Sequence, residues 1–198
     1  MRNDFAESIK LNQNDFDIDL NDEKVSRLTD FYELVMMWNA KLHLVAPCSP
    51  SEFAVRHVLE SLFMTRFLPE NAKFADIGAG AGLPSLPCLI TREDLRGVIV
   101  ESNAKKCVFL RETVTKFGLQ NRVEILNQRF EVTKDANFDF VACRAIEKFA
   151  EKLPEIIKFA DKRLLFGGES IRAKLSEINI KFDAFLLPQS EQRFLFVA

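Results

Sequence analysis

The sequence predicts an α/β fold: a Rossmann-like, mostly parallel sheet with an antiparallel C-terminal strand, preceded by a helical extension. Three observations predict it. Apolar side chains in the first 70 residues recur at spacings of three and four, the period of one helix face. From Lys73 onward, short apolar runs alternate with helix-length segments, the pattern of a parallel sheet covered on both faces. The first of those runs ends in three glycines spaced by two, Gly78, Gly80 and Gly82, where a strand must turn sharply into a helix. The chain therefore divides into a helical extension, 1–70, packed on a ligand-binding α/β domain, 71–198.

Each element has its own justification. Val25, Leu28, Tyr32, Val35 and Trp38 mark one face of a first amphipathic helix. Val58, Leu62 and Phe63 mark a second, with Ser51 as its N-cap. The less periodic stretch 38–47 between them reads as a loop. Strands are predicted over 73–77, 97–101, 122–126, 138–143 and 163–166, with helices over 84–92, 104–117 and 147–161. Pro84 and Pro87 suit a first helical turn, where a missing N–H costs nothing. Gly118 is placed to end the second of these helices. The runs 184–187 and 194–197, joined by a short polar link, form an antiparallel pair.

Composition bounds the function. At 47% apolar residues the chain can bury a sizeable core, and no apolar run approaches the 18 residues of a membrane span. The first residues have neither a signal nor a transit pattern. Cys48, Cys88, Cys107 and Cys143 are scattered without a C-x-x-C, which argues against a zinc site or a disulfide framework and fits a reducing cytoplasm. Residues 1–23 carry seven acids and two bases, whereas the remainder carries 22 acids and 25 bases. The acidic start thus leaves a mildly basic body, a pattern that an ordinary solvated surface also accommodates.

The chemistry concentrates in F-A-D-I-G-A-G-A-G-L-P, 74–84. A dinucleotide fingerprint is G-x-G-x-x-G, but here Leu83 stands at the third glycine's place. Asp76, just before the glycines, would repel a pyrophosphate. It suits a cationic ligand end, such as the sulfonium and α-amino group of S-adenosylmethionine. Glu101 ends the next strand, where a carboxylate accepts hydrogen bonds from ribose hydroxyls. A Rossmann-like domain with a vestigial glycine turn accommodates the same residues. In such a sheet the ligand lies beyond the carboxyl ends of the strands, at 78–83, 101–102, 127–131 and 144–145.

Several chemistries are disfavoured. Cys143, in A-C-R-A, lacks the context of a thiol nucleophile for pyrimidine C5 methylation. The D/N-P-P-aromatic signature of exocyclic amine methylation is absent, as is a Tyr-x-x-x-Lys pair. His43 and His57, distant in sequence, make no metal site, and His57 reads as a cap or pairing residue before a proton carrier.

Six segments in order resemble the 16S rRNA guanine-N7 methyltransferase G family, also called glucose-inhibited division protein B. They are W-N-A-K-L-H-L (38–44), R-H-V-L-E-S (56–61), D-I-G-A-G-A-G-L-P-S-L-P (76–87), V-E-S-N-A-K-K-C-V-F-L (100–110), Q-R-F-E (128–131) and C-R-A (143–145). The chain departs from the family pattern at His43 and Val45 (Asn and Thr), Glu60 (Asp), Ser85 (Gly) and Phe166, near the usual Lys. The resemblance implies a class I S-adenosylmethionine methyltransferase sheet and a cytoplasmic, monomeric enzyme acting on 16S rRNA of the 30S subunit. Carried over by position, it implies cofactor contacts from Gly78, Leu83, Phe130, Glu131 and Arg144. Asp76, Gly80 and Glu101 join them on strand-end geometry, and Arg56, His57 and Arg144 are the substrate-side candidates. Guanine N7 has an in-plane lone pair and no proton, so no general base is expected. An S-adenosylmethionine enzyme with another RNA or a small molecule as substrate is the first alternative. A binding protein that keeps the fold without catalysis is the second.

Overall fold

The computed structural model describes residues 1–133 and 138–198. Helices α1 (Arg2–Asn12) and α2 (Asp22–Leu42) open the chain. Asn21 caps α2 by accepting the Lys24 N–H at 2.9 Å. The next helical stretch is composite: one turn, α3 (Pro50–Glu52), a π-helical segment over Phe53–Leu59, then α4 (Glu60–Phe63). Its N-cap is Ser49, whose Oγ accepts the Glu52 N–H at 3.1 Å with Pro50 at the first helical position. This corrects the cap expected at Ser51. The loop expected over 38–47 begins later, because α2 runs on to Leu42 and ends with His43 in the left-handed region, φ 47°. Histidine, like asparagine, tolerates that region better than most residues, so His43 fits this left-handed helix end.

The α/β part follows the expected alternation. Strand β1 (Lys73–Ile77) leads through the glycines to α5 (Ser85–Thr91), with Pro84 at its N-cap and Pro87 in its first turn. Then come β2 (Arg96–Val100), α6 (Ala104–Lys116), β3 (Val123–Leu126), β4 (Phe140–Arg144), α7 (Phe149–Ile156), β5 (Lys162–Gly167), α8 (Glu169–Glu177), β6 (Asp183–Leu186) and β7 (Phe194–Val197). Helix α8 was not anticipated. Among the described residues the strands form one sheet in the order β3-β2-β1-β4-β5-β7-β6. The first five run parallel to one another, and β7 enters antiparallel between β5 and β6.

Strand periodicity divides the core in two. Phe74, Ile99, Phe140, Ala142 and Leu164 face one cluster, which includes Phe5, Leu28, Phe31 and Leu86 from the N-terminal helices and α5. Their neighbours Ala75, Ile77, Val98, Val141 and Leu165 face the other, closed by Leu153 of α7 and Ile171 and Leu175 of α8. The phenylalanines link the layers of the first cluster. Phe5 stacks on Tyr32 at 4.7 Å, Tyr32 meets Phe53 at 5.2 Å, and Phe53 meets His57 at 4.9 Å. Each such buried ring contributes about 1.5–3 kcal/mol through its removal from water. The chain of rings fixes the π-helical segment against α1 and α2. The strand order reverses beside β1, which pairs with both β2 and β4, and a crevice opens there beyond the carboxyl ends.

Candidate active site

Two adjoining regions occupy the carboxyl end of the sheet. The first is the glycine turn. Gly78, Gly80 and Gly82 all have positive φ, between 55° and 75°, where a side chain is strained. Gly78 donates its N–H to the Val100 carbonyl at 2.8 Å, tying the turn to the end of β2. A Cβ on Gly78 would stand 2.9 Å from Ile146 Cδ1, and one on Gly82 would overlap Leu86 at 2.1 Å. At Gly80 the nearest atom would be 3.9 Å away, so the turn is open there, with Lys106 Nζ at its rim.

Glu101 secures that opening. Its Oε2 accepts the Gly80 N–H at 3.0 Å and its Oε1 accepts the Asn103 N–H at 2.7 Å. A carboxylate has about four lone-pair sites, so two remain for hydroxyl donors. Phe130 lies at the same end of the sheet, buried beside Ile77, Val100 and Cys143. Glu131 stays exposed near Arg129, and its own backbone N–H and that guanidinium hold its carboxyl below the usual range. These residues fit the ribose and adenine ends of a nucleoside: an open glycine backbone, a carboxylate with free lone pairs and an aromatic wall.

Asp76 is buried completely. Its Oδ2 accepts the Ser85 N–H at 3.2 Å, while Oδ1 has no partner among the described residues. Burial pushes its carboxyl up to about 7, against the pull of the Ser85 hydrogen bonds. The side chain thus lies beneath the glycine turn and joins it to the start of α5. Ser85, where the family pattern has Gly, is fully buried at this joint.

The second region is a cavity of about 700 Å³ on the β4–β5 side. Arg56, His57, Glu60, Leu83, Arg144 and Phe166 are among the residues that line it. The structure therefore brings the three substrate-side candidates, Arg56, His57 and Arg144, together with Leu83. Gly78, Gly80, Glu101, Phe130 and Glu131 lie outside this wall, towards β2 and β3. Arg144, at the end of β4, donates to Glu60 Oε2 at 2.8 Å, to Ser61 Oγ at 3.4 Å and to the Arg56 carbonyl. Its guanidinium sits 5.5 Å from the Phe166 ring centre, so the aromatic residue standing near the family's Lys supports a cation instead of adding one. Burial, then the Arg144 and Arg56 charges, lower the His57 pKa to about 4, which keeps the ring neutral at physiological pH. Cys143 is inert: burial raises its thiol well above the ordinary range.

Two members of this wall were not recognised as site residues from sequence. In the sequence Glu60 stands out only as a departure from the family pattern, although a carboxylate inside the apolar run V-L-E-S-L-F is a signal. Arg193, on the β6–β7 link, donates to Glu60 Oε1 at 2.8 Å and had no local signal at all. Asn39 also has a role at the rim. Its Oδ1 accepts the Val45 N–H at 2.9 Å, which fixes the Leu44–Ala46 edge of the cavity. Among the described residues, no group of three or more His, Cys, Asp or Glu is arranged to hold a metal, and no helix is long and apolar enough to cross a membrane.

Comparison with known proteins places this geometry. The family model for rRNA small subunit methyltransferase G matches residues 24–190. The ribosomal RNA small subunit methyltransferase G of Halorhodospira halophila is 35% identical over 167 residues, 83% of this chain and 79% of that protein. The protein of the same name from Nitrosospira multiformis is 35% identical over 135 residues, 68% of this chain and 62% of its own length. The crystal structure of a SAM-dependent methyltransferase from Aquifex aeolicus superposes with a TM-score of 0.59 at 19% identity, covering 76% of this chain and 93% of that one, a likeness of fold. With a matching model over most of its length and relatives of this similarity, the chain belongs to the rRNA small subunit methyltransferase G family.

Proposed function

We propose that the glycine turn and Glu101 hold S-adenosylmethionine, and that the Arg144 cavity receives a guanine of 16S ribosomal RNA for methylation at N7. The chain is an S-adenosylmethionine-dependent methyltransferase acting on small-subunit ribosomal RNA. The observation that carries the residue assignment is the junction of the open turn at Gly80, closed by Glu101, with a cationic cavity one strand away. Glu101 takes the ribose hydroxyls, Gly78 and Gly80 let the backbone approach the cofactor, and Phe130 and Glu131 flank its adenosine end. Leu83 stands between the two regions. Asp76 acts from beneath, by holding the turn against α5. The helical extension, 1–70, serves the catalytic domain, 71–198, by supplying Arg56 and His57 to the cavity.

Held by the glycine turn and Glu101, S-adenosylmethionine would supply an electrophilic methyl group to the N7 lone pair, its sulfonium C–S bond breaking to leave a neutral thioether. N7 carries no proton, so the protein's task is orientation and exclusion of water, worth up to roughly 7–11 kcal/mol of barrier when geometry is tight. Arg144 and Arg56 hold an anionic group on the substrate side. His57, kept neutral, offers a hydrogen bond and an apolar face without adding charge. Leu83 and Phe166 keep the cavity wall dry. The enzyme acts as a cytoplasmic monomer on the 30S particle.

The test is methyl transfer from labelled S-adenosylmethionine to 30S subunits from cells lacking this protein, with borohydride–aniline cleavage to map N7-methylguanine. One cleavage in 16S rRNA, lost in Arg144→Ala and Gly78→Val, is expected. Cofactor binding without methylation of 30S particles would overturn the substrate, and no cofactor binding would overturn the glycine-turn assignment.

A further inference from the structure

The link of the C-terminal hairpin lines the cavity wall with Leu187 and Arg193, and Arg193 lies beyond the residues that the family model matches. Glu60 is completely buried and its two oxygens serve different arginines. Oε2 accepts from Arg144 Nη2 at 2.8 Å, and Oε1 is held by Arg193 through Nε and Nη2, each at 2.8 Å. The partners come from α4, the end of β4 and the β6–β7 link.

This division of one carboxylate has two consequences. An arginine and a carboxylate left alone form a bidentate fork, with both oxygens on one guanidinium. Because Arg193 occupies Oε1, Arg144 meets Glu60 through Nη2 alone, which also donates to the Arg56 carbonyl, while Nη1 reaches Ser61 Oγ at 3.4 Å. The charge count matters equally. A lone Glu60–Arg144 pair is neutral, whereas the triad carries one net positive charge at the wall.

We propose that Arg193 is a positioning residue for methyl transfer: by occupying one oxygen of Glu60 it keeps Arg144 from closing on that carboxylate, so that Arg144 stays directed at its ligand. This rests on the reading that Arg144 contacts the cofactor or the RNA. Arg193 itself touches neither. The longer side chain of Glu60, where the family pattern has Asp, is what reaches both arginines from a buried helix.

The experiment measures KM for S-adenosylmethionine and for 30S particles, together with kcat, in the full chain and in Arg144→Ala, Arg193→Gln, Arg193→Lys and Glu60→Gln/Arg193→Gln. Arg193→Gln is expected to raise about tenfold the same KM that Arg144→Ala raises, with a smaller change in kcat. Arg193→Lys, which keeps a cation on Oε1, recovers most of that loss. The double variant also recovers, because a neutral amide cannot trap Arg144. A purely structural role predicts the reverse, with the double variant the least active and the least stable in a urea titration. If Arg193→Gln fails to fold, the double variant and Arg193→Lys carry the comparison: a KM near the full chain's in both supports the proposal, and a tenfold rise in both overturns it. A normal KM in Arg193→Gln beside a raised one in Arg144→Ala overturns this inference alone. Normal values in both variants overturn the assignment of Arg144 and the inference with it.

Discussion

Three glycines of one turn carry three different constraints, and substitutions separate them. Gly82→Ala forces a Cβ to within 2.1 Å of Leu86, so it damages the joint with α5 and lowers stability by about 1–3 kcal/mol, read in urea unfolding. Gly80→Ala meets open space and costs only its strained φ, about 1–2 kcal/mol. Its new methyl group fills the cradle, so calorimetry should find a folded protein with cofactor affinity lowered about tenfold or more. A Gly80→Ala protein that binds S-adenosylmethionine normally would move the cofactor elsewhere. The spacing of these glycines was plain in sequence, but their differences were not, because they depend on where Leu86 and Ile146 pack. Asp76 illustrates the same limit. Its position before the glycines suggested a direct ligand contact, yet burial is a property of the folded chain. Burial also gives it a pH signature. The unfolded carboxyl titrates near 3.8 and the folded one near 7, so between those values the folded protein holds a proton that the unfolded chain has lost. Its contribution to stability is full below about pH 4 and is lost as pH rises to 7, on the order of 4 kcal/mol. Asp76→Asn should remove that slope from a series of urea titrations. Equal slopes in the two proteins would mean that Asp76 ionises normally.

At the scale of elements, local signals located most helices and strands and misjudged their ends. Both Ser49 and Ser51 could cap the helix that carries Arg56 and His57, and the choice falls to Ser49 because Pro50 then occupies the first turn. Ser49→Ala is expected to cost about 1 kcal/mol, whereas Ser51→Ala stays within about 0.5 kcal/mol. Chemical denaturation decides this, and equal losses would leave the cap unassigned. Helix α8 leaves little trace in the sequence because it is short, follows Gly167-Gly168 and buries only Ile171 and Leu175. Two apolar residues one turn apart are too few to establish a period. Helix α1 was legible only as part of a helical region. Its importance lies in Phe5, stacked on Tyr32 and next to Phe53, which in turn packs on His57. Phe5→Ala is expected to lose about 3–5 kcal/mol and to loosen the His57 edge of the cavity. A loss below about 1 kcal/mol would show that α1 is not part of the core.

For the molecule as a whole, charge and topology set how RNA is met. The acidic N-terminal segment is partly engaged by the chain itself, through Lys10 with Asp22, Arg66 with Asp17 and Gln189 with Asp15. The cavity wall, by contrast, carries Arg56, Arg144 and Lys148 as cations open to a substrate. Contact with about three phosphates predicts a slope of about −2 when the logarithm of RNA affinity is plotted against that of salt concentration. A flat plot would remove phosphate contacts from the account. The alternating strands and helices, the glycine turn and the carboxylate at the end of β2 were determined by sequence alone. Each depends on neighbours within a few residues: strand period, helix period, and the need for glycine at positive φ. What tertiary structure alone decided was the pairing of groups from distant segments. Glu60 meets Arg144 84 residues away and Arg193 133 residues away. No local preference encodes such contacts. They arise because the sheet order returns β4 to the side of β1 and inserts β7 beside β5, which carries three separate segments to one buried carboxylate.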